Sequence, residues 1–447
     1  MYRVNVSVKL MDVARRMTFN EEVSNKQRRD SSMKKLSTVS GVWRRTALTA
    51  GAAALALTLA ACSGGAEPGE GSGGGEGDAS AYKVGVLVGL TGSYAALGEP
   101  ENNAIELYFE QLNADGGIDG HPVELVVLDS GSTESTAVNQ FRKLAIEENV
   151  HAILGPSSSG ESIALQTFSK DLTVPTIALA SSSAIVEPAE NATYMFKQYS
   201  GTNESLKAQF EFAAAEGWTK IGLLHTNDGY GQDPANRIDD VAAEYGIEVT
   251  GKEAFDATAT EVTAQLGNLE QGDPDAVFVW AVNPANAIVA KSAESIGFEP
   301  ALFNSPGAGS AAYIENAGAA GEGTYLQGSV VLAPDSLTED SPQFDATRAL
   351  VDGYQEAYGE AAGQYAANGW DGATLLVNAI EKAGVPDPSD VQAARDAIRD
   401  ALENDTQAVV GVNGIYTYTP EFHGSTSLEG LAVLRVTGGE FEVVKTY

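Results

Sequence analysis

Small hydroxyl residues recur in this chain directly after short apolar runs. Thr91-Gly92-Ser93-Tyr94 follows the run that ends at Leu90. Gly155-Pro156-Ser157-Ser158-Ser159-Gly160 follows Ala152 to Leu154, and Ala180-Ser181-Ser182-Ser183 follows Thr176 to Leu179. Thr226-Asn227-Asp228-Gly229-Tyr230-Gly231 follows Lys220 to His225, and Asn283-Pro284 closes Ala276 to Val282. Hydroxyls and backbone amides at strand ends and helix N-termini suit a small ligand with an anionic or strongly accepting group. Catalysis is not indicated. Residues 155 to 160 do not form a GxSxG nucleophile elbow, and no His is placed to serve one. His121, His151, His225 and His423 are scattered without metal-ligand spacing. No carboxylate pair stands out. Gly307 to Ala312 fits the dinucleotide pattern GxGxxA, but late in a β-α unit of a Gly- and Ala-rich chain. The chemistry read here is binding, with no enzyme activity, cofactor or metal.

The elements that position these clusters alternate. Tyr82 to Leu90 reads as a buried strand, its apolar run too short for a helix and rich in β-branched residues. Ala104, Ile105, Leu107, Tyr108 and Leu112 then lie three and four apart, as on one helix face. Strands follow at 123 to 128, 152 to 154 and 176 to 179, with helices at 137 to 148 and 162 to 171. A second series begins near Thr202: helices at 205 to 216, 234 to 245, 261 to 270 and 285 to 296, and strands at 220 to 225, 248 to 253, 276 to 282 and 301 to 304. Helices are then expected at 342 to 358, 369 to 383 and 390 to 403, and strands in 414 to 418 and 430 to 444. Strand-helix alternation with short connections predicts parallel sheets covered on both faces, with ligands outside the strands' carboxyl ends.

Charge is unevenly placed. Of the 27 Lys and Arg, 11 fall in Met1 to Ala61, against four of the 61 Asp and Glu. The remainder keeps 16 basic and 57 acidic residues, a net −41. Such a body does not bind nucleic acid by neutralising phosphates. The excess reads either as a solvated surface or as adaptation to high salt. Met33 opens a more convincing export signal than Met1: Lys34, Lys35, Arg44 and Arg45 precede the apolar stretch Thr46 to Leu59, which is too short to span a bilayer. Cys62 is the sole cysteine, so no intramolecular disulfide forms. Ser63 to Ala81 is Gly/Ser/Glu-rich and reads as a tether spanning roughly 25 Å as a flexible coil.

Leu59-Ala60-Ala61-Cys62 resembles a bacterial lipobox, which implies a lipid on Cys62. From Tyr82 to Val444 the chain resembles the substrate-binding proteins of branched-chain amino acid ABC transporters. The resemblance rests on VGVLVGLTGSYAALG, Leu112 to Gly120, Leu154-Gly155-Pro156 with its serines, Val174 to Ile177, Asp228-Gly229-Tyr230-Gly231 and Trp370 to Ala373, in that order. It implies an α/β, bilobal type I periplasmic-binding-protein fold: two doubly wound parallel-sheet lobes joined by a three-crossing hinge near Ser200, Val330 and His423. The expected division is leader 1–61, lipidated Cys and tether 62–81, lobe 1 at 82–200 plus 331–424, and lobe 2 at 201–330 plus 425–447.

The resemblance also implies a site. Ser159 falls at the family's carboxylate-binding Ser, Ser181 and Ser182 at a backbone contact and a Thr, Leu97 at a side-chain contact, and Tyr230 at an aromatic contact. Each Ser also suits a helix cap. Val282 stands where amino-acid binders carry Tyr. Pro306 stands where they carry the Glu that pairs with the ligand ammonium. Asp228 or Asn283 could take that place. The expected protein is a monomeric lipoprotein on the outer face of the bacterial cell membrane. It binds a small amino-acid-like, carboxylate or amide solute for an ABC permease and its ATPase. A ligand sensor of the same fold and a secreted hydrolase are the competing readings.

Overall fold

The computed structural model describes residues 80–447. The leader, Cys62 and nearly all of the tether lie outside the described residues. Strand β1 (Tyr82–Val88) is buried at every position but one, as a continuous apolar run must be in a sheet covered on both faces. Helix α1 (Ala95–Ala114) starts nine residues before the apolar pattern at Ala104. Gly98, Pro100 and two glutamates hide its first turns from a periodicity reading. After β2 (Val123–Asp129) comes α2 (Glu134–Arg142), which continues as a π-turn over Lys143–Glu147. Strand β3 (Ala152–Leu154), α3 (Ser159–Asp171), β4 (Thr176–Ala178) and β5 (Met195–Lys197) complete the first series.

The second series runs α4 (Thr202–Glu216), β6 (Lys220–Thr226), α5 (Gly229–Tyr245), β7 (Glu248–Phe255), α6 (Thr263–Glu270) and β8 (Ala276–Trp280). It continues through α7 (Ala285–Ile296), β9 (Ala301–Asn304), α8 (Ala311–Ala317) and β10 (Tyr325–Ser329). Helices α9 (Phe344–Tyr358), α10 (Gln364–Lys382) and α11 (Val391–Asp405) follow, then β11 (Val409–Val410), β12 (Ile415–Tyr416), β13 (Leu431–Thr437) and β14 (Glu440–Thr446).

One sheet has the order β2-β1-β3-β4-β5, parallel throughout. The other has the order β14-β13-β10-β9-β8-β6-β7. Its strands β6 to β10 are parallel, and the β13–β14 hairpin adds an antiparallel edge. Each sheet has an apolar layer on both faces. Val84, Val86 and Leu154 of the first sheet pack with Ile105, Leu376 and Ile398, while Leu87 and Ile153 pack with Phe141 and Leu165. In the second, Val277 and Val279 pack with Leu266 and Val289, while Leu223 and Phe278 pack with Phe210 and Ile238. Among the described residues no helix is long and apolar enough to cross a membrane.

The chain passes between the sheets three times: after β5, after β10 and after β12. The approach to the third passage is fixed by Asp371 on α10. Its buried carboxylate accepts from Val412 N at 2.7 Å, Asn413 N at 2.8 Å and the Tyr416 hydroxyl at 2.6 Å. A Cβ on Gly411 would lie 2.6 Å from that carboxyl carbon, so only glycine lets the turn come this close. Burial pushes the Asp371 pKa from the usual 3.8 up to about 6. The folded chain then holds a proton that the unfolded chain releases near pH 4. The corresponding stability, about 2–3 kcal/mol, is present below pH 4 and lost as pH rises through 6. Asp371→Asn removes this titration. Urea denaturation at pH 4 and pH 7 should therefore show the variant losing less stability over that interval than the wild type. Equal losses would place the Asp371 titration elsewhere.

Candidate functional site

A cleft lies between the lobes, at the carboxyl ends of both sets of parallel strands. From the first lobe it is lined by Tyr94, which precedes α1, by Leu97 of α1, by Ser157 to Gly160 where β3 turns into α3, and by Leu179 to Ser181 after β4. The second lobe contributes Asp228 and Tyr230 after β6, Val282 after β8, and Pro306 and Gly307 after β9. Tyr199 of the first passage and Gln364, Tyr365 and Asn368 of α10 complete it.

The start of α3 divides the work among its serines. Ser158 is the N-cap: its hydroxyl oxygen accepts from Glu161 N at 3.3 Å and donates to Glu161 Oε2 at 2.7 Å. This is a reciprocal capping arrangement. Ser159, freed from capping, presents its hydroxyl to the cleft and accepts from Ser182 N at 3.4 Å. The first backbone N–H groups of a helix lack partners within it, so α3 offers amide donors beside that hydroxyl.

The electrostatics are one-sided. Among the described residues no Lys, Arg or His lines the cleft or the cavity adjoining it. Asp228 lines the cleft, and Glu134 and Glu161 stand at the mouth. Asp228 caps α5, with Oδ1 accepting from Tyr230 N at 3.0 Å and Gly231 N at 2.9 Å. Behind the floor, beside Ser157 and Asn368, Glu101 is fully buried. Burial pushes its carboxyl well above the usual range, which favours the neutral acid. Tyr94 at the mouth is pushed up to about 12, by burial first and then by the charges of Asp228 and Glu161. Among the described residues no group of three or more His, Cys, Asp and Glu is placed to hold a metal.

Of the residues named from sequence, Leu97, Ser159, Ser181 and Tyr230 line the cleft, and so do Val282 and Pro306. The Tyr230 hydroxyl is engaged within its own lobe, donating to Ser305 Oγ at 3.0 Å and accepting from Gly307 N at 3.3 Å. It therefore presents ring more than hydroxyl. Ser182 and Asn283 are not among the residues that line the cleft. Ser182 points away from the cleft and donates to Asp233 Oδ2 at 2.7 Å. Asn283 is buried, its backbone N donating to Gly307 O at 3.0 Å. The sequence reading missed Tyr199 and the α10 residues Gln364, Tyr365 and Asn368. The last three precede Gly369, where the apolar pattern placed the helix start.

The lobes are held together around the cleft by Asp233 of α5. Its Oδ2 accepts from Ser182 Oγ, from Ser183 N at 2.8 Å and from Thr202 Oγ1 at 2.6 Å. Arg237 donates to Asp233 Oδ1 at 2.5 Å and to Glu187 of the first lobe at 2.5 Å. Burial alone would raise the Asp233 pKa, but bonds from Thr202 and Arg237 and the guanidinium charge hold it below the usual range. Tyr365 adds a cross-lobe bond to Gly307 O at 2.9 Å. Arg237→Ala leaves Asp233 and Glu187 without their shared cation. It should shift the lobes towards separation by about 1–3 kcal/mol. Small-angle scattering should show a larger radius of gyration in the variant. Apparent affinity for any cleft ligand should fall by one common factor; superimposable scattering curves would contradict this.

Residues 81–440 match the family model described as Periplasmic binding protein. The chain is 23% identical over 354 residues to Leu/Ile/Val-binding protein homolog 7 of Brucella abortus (strain 2308), covering 77% of this chain and 86% of that protein. Its structure is similar to an extracellular ligand-binding receptor from Rhodopseudomonas palustris HaA2, with TM-score 0.75 and 26% identity over 81% of this chain and 99% of that one. It also shares the fold of the branched-chain amino acid transporter substrate binding protein LivJ from Streptococcus pneumoniae, solved in complex with isoleucine, with TM-score 0.69 and 23% identity over 82% and 99%. The bilobal α/β architecture expected from sequence is thus the architecture found, and the chain belongs to the periplasmic binding protein family, a family of binding proteins and not of enzymes.

Proposed function

We propose that this chain is the extracytoplasmic substrate-binding lipoprotein of an ABC importer. It holds a small amino-acid-like, carboxylate or amide solute between its lobes and delivers it to a permease. One observation carries the reading: the N-terminus of α3 and the Ser159 hydroxyl face a cleft that both lobes line. Hydroxyl and amide donors there receive the accepting end of the solute. Leu97, Val282 and the Tyr230 ring offer it an apolar wall. Pro306 in the lining leaves an ammonium without the carboxylate that amino-acid binders place there. A standard branched-chain zwitterion is therefore the weaker candidate.

Delivery to a membrane partner rests on the leader, where Leu59-Ala60-Ala61-Cys62 marks a lipid anchor and Ser63 to Ala81 a tether. Fractionation tests this part: Cys62→Ser should release the protein from membranes or leave it unprocessed. Unchanged attachment and processing would remove the anchor from the proposal.

A thermal-shift panel of amino acids, small amides, aromatic acids and polyols tests the binding. A solute at 100 times its dissociation constant adds roughly 2.7 kcal/mol to stability. Ser159→Ala should weaken that solute by about 1–3 kcal/mol, because an acceptor is left desolvated without its donor. Micromolar binding of leucine, isoleucine or valine to the unaltered protein would overturn the ligand assignment but not the binding role.

A further inference from the structure

Behind the cleft floor stands a carboxyl group to which nothing is committed. Glu101 of α1 is fully buried, and neither of its carboxyl oxygens has a hydrogen-bond partner. Buried polar groups in folded proteins are nearly always paired. The two side chains within bonding reach of this carboxyl are Ser157 and Asn368. Both also line the cleft, one between β3 and α3 and one on α10. The backbones of α1 and α10 touch at this point, since a Cβ on Gly369 would lie 2.2 Å from Glu101 O.

Each neighbour has one hydrogen left over. The Ser157 hydroxyl accepts from Gly89 N at 3.2 Å, and its own hydrogen is uncommitted. Asn368 Nδ2 gives one hydrogen to Leu179 O at 3.1 Å and keeps a second. Asn368 Oδ1 accepts from Asn413 Nδ2 at 2.8 Å and keeps a lone pair. The titratable groups facing Glu101 are themselves acids. From α3 comes Glu161. From α10 comes Tyr365, pushed well above its usual range by burial first, then by Tyr230 and Glu101. Burial, and after it the Glu161 charge, favour the neutral form of Glu101.

The two protonation states use the leftover hydrogens differently. A carboxylate only accepts, so it draws both hydrogens away from the cleft. A neutral acid donates its own hydrogen to the free lone pair of Asn368 Oδ1, and its carbonyl oxygen takes one hydrogen in return. The other leftover hydrogen then remains for an acceptor in the cleft. We infer that Glu101 is a positioning residue of the solute site: the proton on its carboxyl decides whether Ser157 and Asn368 turn a hydrogen towards the solute or keep both for the protein. The solute presents an acceptor to the floor, and its binding is linked to one proton. This rests on the solute-binding reading and deepens it.

Calorimetry on the whole protein from pH 6 to pH 9.5 tests it, with 4-methylpentanoate, 4-methylpentanamide, benzoate and benzamide as probes. For every probe that binds, wild-type affinity should be level at first and then fall by about tenfold per pH unit once Glu101 ionises. Glu101→Gln keeps the shape and the hydrogen-bonding pattern of the neutral acid. It should bind throughout with the affinity that the wild type shows at pH 6. A merely structural role for Glu101 would not separate the two profiles. A level wild-type profile, parallel profiles, or a folded Glu101→Gln protein that no longer binds would each overturn the inference. If Glu101→Gln does not fold, Ser157→Ala reads the same linkage: a shallower profile supports the inference, and one as steep as the wild type's overturns it. If none of the four probes binds, the most stabilising solute of the thermal-shift panel replaces them under the same outcomes. No solute at all overturns solute binding itself, and the inference with it.

Discussion

The Asp233 carboxylate is where the two lobes become one site. It sits on a helix of the second lobe, and its bonds come from Ser182 and Ser183 in the first lobe, Thr202 at the passage between them, and Arg237 on its own helix. A carboxylate buried this deeply must be compensated on both oxygens; Arg237 serves Oδ1 from the same helix, and the full set on Oδ2 is collected only when the lobes meet. The cleft residues, drawn from opposite lobes, face one another under the same condition. The bond network that stabilises closure and the surface that meets a solute are thus assembled by one movement, and Tyr365 belongs to both.

The same economy appears where strands turn into helices. In the first lobe a Cβ on Gly98 would lie 2.3 Å from Gly89 O, and in the second a Cβ on Gly231 would lie 2.0 Å from Thr226 O. Each helix start is pressed against the end of the strand before it. That closeness brings the amides of α1 and α5 to the edge of their sheets. The starts of α3 and α5 face each other, with Gly229 placed so that a Cβ would come within 3.2 Å of Gly160 Cα. Lobe closure here is backbone against backbone at the rim, which leaves the side chains behind it to meet a solute.

Much of this architecture was legible in the sequence because parallel strands buried on both faces leave plain apolar runs, as β1, β6 and β8 do. Strands β5 and β10 were not legible. They carry Lys197 and Gln327, polar residues that tertiary structure buries completely, and nothing local announces that. At the site, spacing located the serine clusters but could not choose within them. Ser181 and Ser182 are neighbours of the same type, and what separates them is Asp233, 51 positions away. Gln364, Tyr365 and Asn368 escaped because a polar helix start aimed at a cleft has the same composition as one aimed at solvent. Tyr199 escaped because a passage between lobes has no periodicity to read.

The acidic mouth has a consequence for how solutes arrive. Glu134 and Asp228 line the entrance side, with no basic lining residue among the described residues, on a body carrying a net −41. A low-dielectric cleft concentrates such a field at its entrance. A negatively charged solute therefore climbs a potential before it reaches the amides of α3, and its association rate rises as salt screens the barrier over a Debye length of about 10 Å at 0.1 M. A neutral solute crosses the same entrance at a rate almost indifferent to salt. The entrance thus sorts solutes by charge before the hydrogen bonds inside sort them by shape, and the sorting is sharpest in dilute surroundings.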